Sequence, residues 1–431
     1  MKDWVISGER LSGDYLFLIV AMFFAASASV LFFGRVNQAY LLLLPLSIIV
    51  GALSWSSRAH IPRSYSWGLF WAVVILLFLL ASIKGLSWQG SDHYGEWNLL
   101  RSMFIVNLAL IYLAWIFCKR YPLQASRSLY LSCVIGVIVT GITFLFYIGD
   151  QLTIFRFFGD SLIHRNNLEL PFTGVRVDRF NGLFKEPAEA GFFLVFSALI
   201  LAAWSRYILA LLALFMGVFL FSNSYAFLLL VSVFLIIGLH VARHFVMPVF
   251  ILGIFTAVSV FIIIEPNPKY FQWIDYFLPR AENLYAVRDV IQRLWTNWNA
   301  AQDFAQLYWP LGGGAGFIRV YEQEFYLFSR EAVHGAGAGV FKFLSDFGVF
   351  GVVFLIIAGI QLHRIITRTD KNLRNNFLLS AALLCLVFSS VRTGYYNISV
   401  WAAFFMALST VFVSDKYNRS RSYKDNDNYI R

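Results

Sequence analysis

Charged residues are scarce in this chain. Asp, Glu, Lys and Arg make up 13% of its 431 residues, against 59% hydrophobic and 18% aromatic. A soluble domain has too little interior to hide that much apolar surface, which excludes a water-soluble globular fold. Cysteine is scarcer still. Cys118, Cys133 and Cys385 all fall in or at apolar segments, which excludes a disulfide framework. His60, His93, His164, His240, His244 and His363 are scattered over both sides of the topology derived below, so no histidine metal site is expected. The sequence has no fixed-period repeat, and no matched pair of interrupted helices of the kind many transporters carry in their two halves. A net charge of +10 without a basic cluster on any soluble segment does not point to nucleic acid.

What is present is long apolar runs. A helix needs ~20 apolar residues to cross a hydrocarbon core of ~30 Å. By that criterion roughly twelve spans are expected, near 14–33, 39–56, 67–84, 98–118, 128–148, 187–205, 207–221, 223–240, 244–264, 338–362, 376–391 and 396–413. The very short turn near Asn223 makes 207–221 and 223–240 the least regular pair. The fold class predicted is an all-α polytopic membrane protein. Its division is 1–148 (helices one to five), 149–186 (a first polar loop), 187–264 (helices six to nine), 265–337 (a large second loop), 338–413 (helices ten to twelve) and a polar tail, 414–431. The stretch Ala25-Ala26-Ser27-Ala28 resembles a cleavage site, but the apolar run continues past it, so an uncleaved first helix is expected.

Charge orients these spans. Lys2, Arg10, Arg58, Arg63, Lys119, Arg120, Arg127, Arg206, Arg243, Arg364, Arg368, Lys371 and Arg374 alternate with short loops holding only Arg35, Lys84 and Arg392. The positive-inside rule then places both termini in the cytoplasm and both long loops outside. Asp425-Asn426-Asp427 has a metal-binding spacing but lies in the polar tail on the cytoplasmic side.

The two outward loops hold the candidate chemistry. In the first, Arg176 and Arg179 precede Gly182, Glu186 and Pro187. Pro187 suits a first helical turn. Glu186 is either an acid complementing that helix N-terminus or a general base at membrane depth. The two arginines are either snorkelling interface residues or anion ligands. In the second loop, Val287, Val290, Ile291, Leu294, Trp295, Trp298, Ala301 and Ala305 recur at helical spacing, which predicts an amphipathic interfacial helix ended by Pro310 and Gly312. Arg293 either pairs with Asp289 or offers its guanidinium fork to phosphate, and Arg288 is a second candidate. The run Gly312, Gly313, Gly314, Ala315, Gly316 is either a linker or a backbone approach to phosphate. His334 stands at the predicted mouth of the next span, where an imidazole can accept a proton near neutral pH. Arg101, at the outer edge of a span, either snorkels or joins a ring of arginines around a diphosphate.

These residues resemble a known pattern. Arg293-Leu-Trp-Thr-Asn-Trp298-Asn-Ala-Ala301, then Pro310 to Gly316, then His334 leading to Gly348-Val-Phe-Gly351, is similar to the large-loop signature of the O-antigen polymerase and ligase superfamily of membrane glycosyltransferases. Phe221-Ser-Asn-Ser224 resembles it too, and the expected helix count and outer loops extend the likeness over nearly the whole chain. The glycine after His334, its longer spacing to Gly348, and Arg179-x-x-Gly182 before Glu186-Pro187 resemble polymerases more than ligases. The resemblance implies a metal-independent, cofactor-free transfer at the periplasmic face of a bacterial inner membrane. The expected substrate is an undecaprenyl-pyrophosphate-linked oligosaccharide drawn from membrane lipid. Arg101, Arg176, Arg179, Arg288 and Arg293 would lie on the pyrophosphate, with Gly313, Gly314 and Gly316 near it and Glu186 or His334 as base. A chain-length regulator and a flippase are the partners it implies. A ligase acting on lipid A-core, or more distantly a lipid-linked oligosaccharide flippase, is the alternative.

Overall fold

A computed structural model describes residues 115, 118, 122–151, 165–169, 176–180, 184, 187–220, 222–249, 252–253, 312, 339–390 and 400–414. The elements in chain order are α1 (Pro122–Gln151), β1 (Arg165–Glu169), β2 (Arg176–Phe180), α2 (Pro187–Ala203), α3 (Tyr207–Val218), α4 (Asn223–Val241), α5 (Gly339–Arg368), α6 (Leu373–Phe388) and α7 (Val400–Ser414). A further helical stretch covers 243–249.

α2 is the centre. Fourteen of its residues are buried, among them Leu194, Ile200 and Leu201, and it packs against α1, α3, α4 and α6. The helices around it are apolar on the outside as well. Ile135, Ile138, Ile142 and Leu145 form an exposed stripe on α1, and Phe227, Leu230, Phe234, Ile237 and Val241 form one on α4. Helices that are apolar on both faces need an apolar surrounding, which makes this a membrane α-helical protein. Three described helices are long and apolar enough to cross a bilayer: Ala125–Ile148, Ser224–Val241 and Phe347–Arg368. Several hydroxyls in these and the neighbouring helices find a partner within their own helix. Thr143 donates to the Thr140 carbonyl, Ser232 to Leu228 and Thr410 to Met406, so a hydroxyl in hydrocarbon keeps a partner.

Three features add detail to the expected spans and loops. β1 and β2 form an antiparallel ribbon in the first polar loop. The span expected at 207–221 is a helix of 12 residues, roughly 18 Å at 1.5 Å per residue, shorter than the hydrocarbon core. The span expected at 338–362 lies along α5, which runs on to Arg368. α5 is broken at Gly348, whose φ of 55° and ψ of −135° suit only glycine, and the apolar crossing runs from Phe347 to Arg368. At 22 residues that crossing is complete on its own, so the turns before Gly348 are surplus to it. Gly351 lets the break fold tightly, since a Cβ there would lie 3.2 Å from the Phe343 ring and 3.3 Å from Phe347 Cβ.

Small residues also set the joint between α2, α3 and α4. Tyr225 of α4 donates to the Leu214 carbonyl at 2.7 Å and lies across Gly217 of α3 and Gly191 of α2. A Cβ at Gly217 would fall 2.2 Å from the tyrosine ring. Gly217→Ala is therefore expected to destabilise the protein by about 1–3 kcal/mol through overpacking. A fluorescence melt in detergent checks it, with Gly253→Ala, which meets nothing within 4 Å, as the neutral control.

The two ends of the helices differ. At one end Arg206 Nε donates to Tyr130 Oη at 3.2 Å, and the Arg374 guanidinium lies 5.4 Å from the Trp204 ring centroid. Arg243 joins the turn after α5 to the end of α4 there. Three of the cations that the sequence alternates along the chain, Arg206, Arg243 and Arg374, are thus gathered at one end of the described helices. The ribbon docks at the other.

Candidate functional site

The ribbon end assembles from aromatic residues. Phe180, the last residue of β2, is fully buried against Phe144 and Tyr147 of α1, at centroid distances of 5.1 and 5.5 Å. Its backbone N–H donates to the Phe219 carbonyl at 3.3 Å, just past the end of α3. Phe144 also meets Phe219 at 4.9 Å and Phe215 at 6.0 Å. Four residues on, Phe184 is buried against Phe193 of α2 at 5.3 Å. Phe192 stacks on Phe388, where α6 ends, at 4.3 Å and 8°. Phe180 thus pins the ribbon to α1 and the end of α3, Phe184 ties the following chain to α2, and Phe192 on Phe388 joins α2 to α6, with offset and edge contacts contributing beyond their area.

The chain between the Phe180 anchor and α2 carries the first-loop candidates. α2 begins at Pro187, whose missing N–H costs nothing at a first helical position, and Glu189 lies in that first turn, where a carboxylate complements the helix dipole. The spacing of Glu189 behind Pro187 is a helix-start signal in the sequence. Glu186 itself lies outside the described residues, between the buried Phe184 and Pro187 in the chain.

The register separates the two arginines of β2. Arg176 pairs with Glu169, Asp178 with Asn167 and Phe180 with Arg165, and these positions share one face of the ribbon. Val177 pairs with Leu168 and Arg179 with Asn166 on the opposite face. Arg176 is thus set opposite a carboxylate residue with Asp178 two positions along, whereas Arg179 is opposed by a neutral amide. The expectation grouped both on one pyrophosphate; from the ribbon they occupy different faces.

Of the other candidates, Gly312 is buried with a φ of 76°, a left-handed backbone conformation that favours glycine. Arg101, Arg288, Arg293, Gly313, Gly314, Gly316 and His334 lie outside the described residues. Gly348 and Gly351, quoted only as motif letters, prove to be the break and the close-packing point of α5. Among the described residues no group of His, Cys, Asp and Glu is arranged to hold a metal ion. No protein-family model matches the chain, and no curated protein sequence matches it.

Proposed function

We propose that this protein is a glycosyltransferase that polymerises polyprenyl-pyrophosphate-linked oligosaccharide repeats into O-antigen or a related surface polysaccharide, at the periplasmic face of a bacterial inner membrane. The observation that carries the reading is a polar, arginine-bearing ribbon pinned by buried rings to one end of apolar helices, directly before Pro187. The second-loop string from Arg293 to Gly316 belongs to the same reading. Further support comes from α5. Its only described non-helical residue is at the edge of a complete crossing, whereas a transporter's broken helices place substrate at mid-membrane.

The chemistry follows from the substrate. A hydroxyl of the sugar on an incoming lipid-linked repeat attacks the anomeric carbon at the reducing end of the growing chain. The new glycosidic C–O bond forms as the bond from that carbon to the pyrophosphate oxygen breaks, with inversion. Polyprenyl pyrophosphate departs with the bonding electrons, and the hydroxyl proton passes to a base. Arginines held in place beforehand stabilise the charge that develops on the leaving group. Glu186 and His334 are the two bases within this reading, and a positioned base contributes typically ~10²–10⁴-fold.

The test is an assay with purified lipid-linked repeat, beside the lipopolysaccharide ladder of a deletion strain. Single-repeat caps on the deletion ladder are expected. Bare core with long unlinked polymer would instead identify a ligase, and no exported repeat a flippase. Glu186→Gln and His334→Ala are measured separately. The true base loses at least about a hundredfold of polymer formation, and a variant with near-normal rate removes that residue from the mechanism.

A further inference from the structure

At the opposite end from the ribbon, the chain turns sharply after α4. The 243–249 stretch folds back along α4, with a Cβ on Gly238 coming 3.2 Å from Val246. Between this hairpin and α6 lies a crevice of about 340 Å³ lined by Phe234, Gly238, Ala242, Phe245, Val249 and Leu383, among others. Every lining residue is apolar, so the crevice offers water no partners. Its volume is roughly eleven times the ~30 Å³ share of a liquid water, enough for a length of hydrocarbon chain. Phe234, Phe245 and Val249 are exposed at its rim.

The position of this crevice relative to charge is what distinguishes it from an ordinary lipid-facing dent. Its corner residue Ala242 immediately precedes Arg243, whose guanidinium donates to the carbonyls of Thr369 and Asp370. The turn from α5 to α6 is thereby held against the corner, and with it the exposed Arg368 and Lys371. Arg364 is exposed one turn before Arg368, and His240 and His244 are exposed on either side of the corner. Asp370 is the carboxylate of the same turn, and the cations outnumber it.

We infer that this corner is a binding site for one anionic phospholipid, its phosphate beside Arg368 and Lys371 and one acyl chain in the crevice between α4, 243–249 and α6. Headgroup attraction and chain burial act together, which a polar ligand or a neutral lipid cannot reproduce. The site is distinct from the ribbon end and does not depend on the glycosyltransferase reading.

The full-length protein, purified in a mild detergent, is titrated with phosphatidylglycerol and with phosphatidylcholine and read by native mass spectrometry. A single phosphatidylglycerol adduct is expected, with phosphatidylcholine at least about fivefold weaker. Arg368→Gln and Lys371→Gln are each expected to weaken phosphatidylglycerol about fivefold. Val249→Trp, which fills the crevice from its exposed rim, is expected to weaken it comparably. Equal binding of the two lipids, or no adduct with either, overturns the inference. So does an effect confined to the glutamine variants, which leaves a charged patch without a tail site, or one confined to Val249→Trp, which leaves a crevice indifferent to charge. Polymer formation in the same variants is measured separately, so failure here is distinguishable from failure of the enzymatic reading.

Discussion

Arg179→Ala should reduce polymer formation by about 10²–10³, the loss typical of removing one pre-placed donor from a developing negative charge. Arg176→Ala should cost less than about tenfold, since a cross-strand pair contributes only roughly 0.2–1 kcal/mol. The reason lies in the ladder. By register Arg176 falls on the face with Glu169, Asp178 and Arg165, where two acids balance the two cations. Arg179 shares its face with Asn166, Leu168 and Val177, and that face is net positive. On the proposed function, a pyrophosphate would be drawn to Arg179 rather than to Arg176. Arg293→Ala in the second loop is expected to match the Arg179 loss if both arginines touch the same leaving group. Arg179→Lys should fall between, because the ammonium keeps the charge and loses the fork. Turnover of purified lipid-linked repeat, with protein level checked by immunoblot, decides the matter. Equal losses from Arg176→Ala and Arg179→Ala would sink the assignment of the ligand to one face of the ribbon.

Which parts of this were legible follows from the kind of signal each leaves. Hydropathy locates α1, α2, α4 and α6 closely, because a helix in lipid must be apolar along its length. Pro187 marks the start of α2 because only a first turn tolerates proline's missing N–H. Arg127, Arg206 and Arg243 could be set on one side from charge alternation, and the contacts of Arg206 and Arg243 unite their segments at one end. The ribbon was not legible. Arg165-Asn-Asn-Leu-Glu169 and Arg176-Val-Asp-Arg-Phe180 carry no apolar alternation. Their pairing is backbone hydrogen bonding anchored by one buried ring, which no periodicity records. The break at Gly348 was hidden for a related reason, since a glycine in an apolar run lowers hydropathy little and a hydropathy profile holds no dihedral angles. The shortness of α3 was hidden because the turn at Phe219 and Leu220 is itself apolar.

The buried arginine was the least legible of all, and it yields the largest expected effect on stability. Arg243 is 2% exposed, although the sequence shows only another cation in a cationic turn. Its Nε donates to the Leu239 carbonyl at 3.4 Å, one nitrogen donates to Thr369, and the other reaches Asn376 Oδ1 at 2.6 Å and the Asp370 carbonyl at 3.4 Å. Asn372 caps α6 by accepting from the Asn375 N–H at 2.7 Å, and Asn375 in turn donates to the Asp370 carbonyl. One guanidinium thus closes the end of α4 onto the α5–α6 turn. Removing it takes a donor from the Thr369 carbonyl and Asn376 Oδ1 at once, while the Asp370 carbonyl keeps the Asn372 and Asn375 N–H groups. Arg243→Ala is expected to cost about 3–5 kcal/mol, since a hydrogen bond to a charged group contributes about 1.5–3 kcal/mol and the guanidinium makes at least two. Asn376→Ala, which deletes a single acceptor, should cost about 1–3 kcal/mol. The two together should cost less than their sum, because each severs the same bond. Thermal melts of the three variants in detergent, with membrane abundance in parallel, measure this. A near-parental melt for Arg243→Ala would mean that the turn is held by the packing of α6 on α2, through Phe192 on Phe388, and not by the guanidinium.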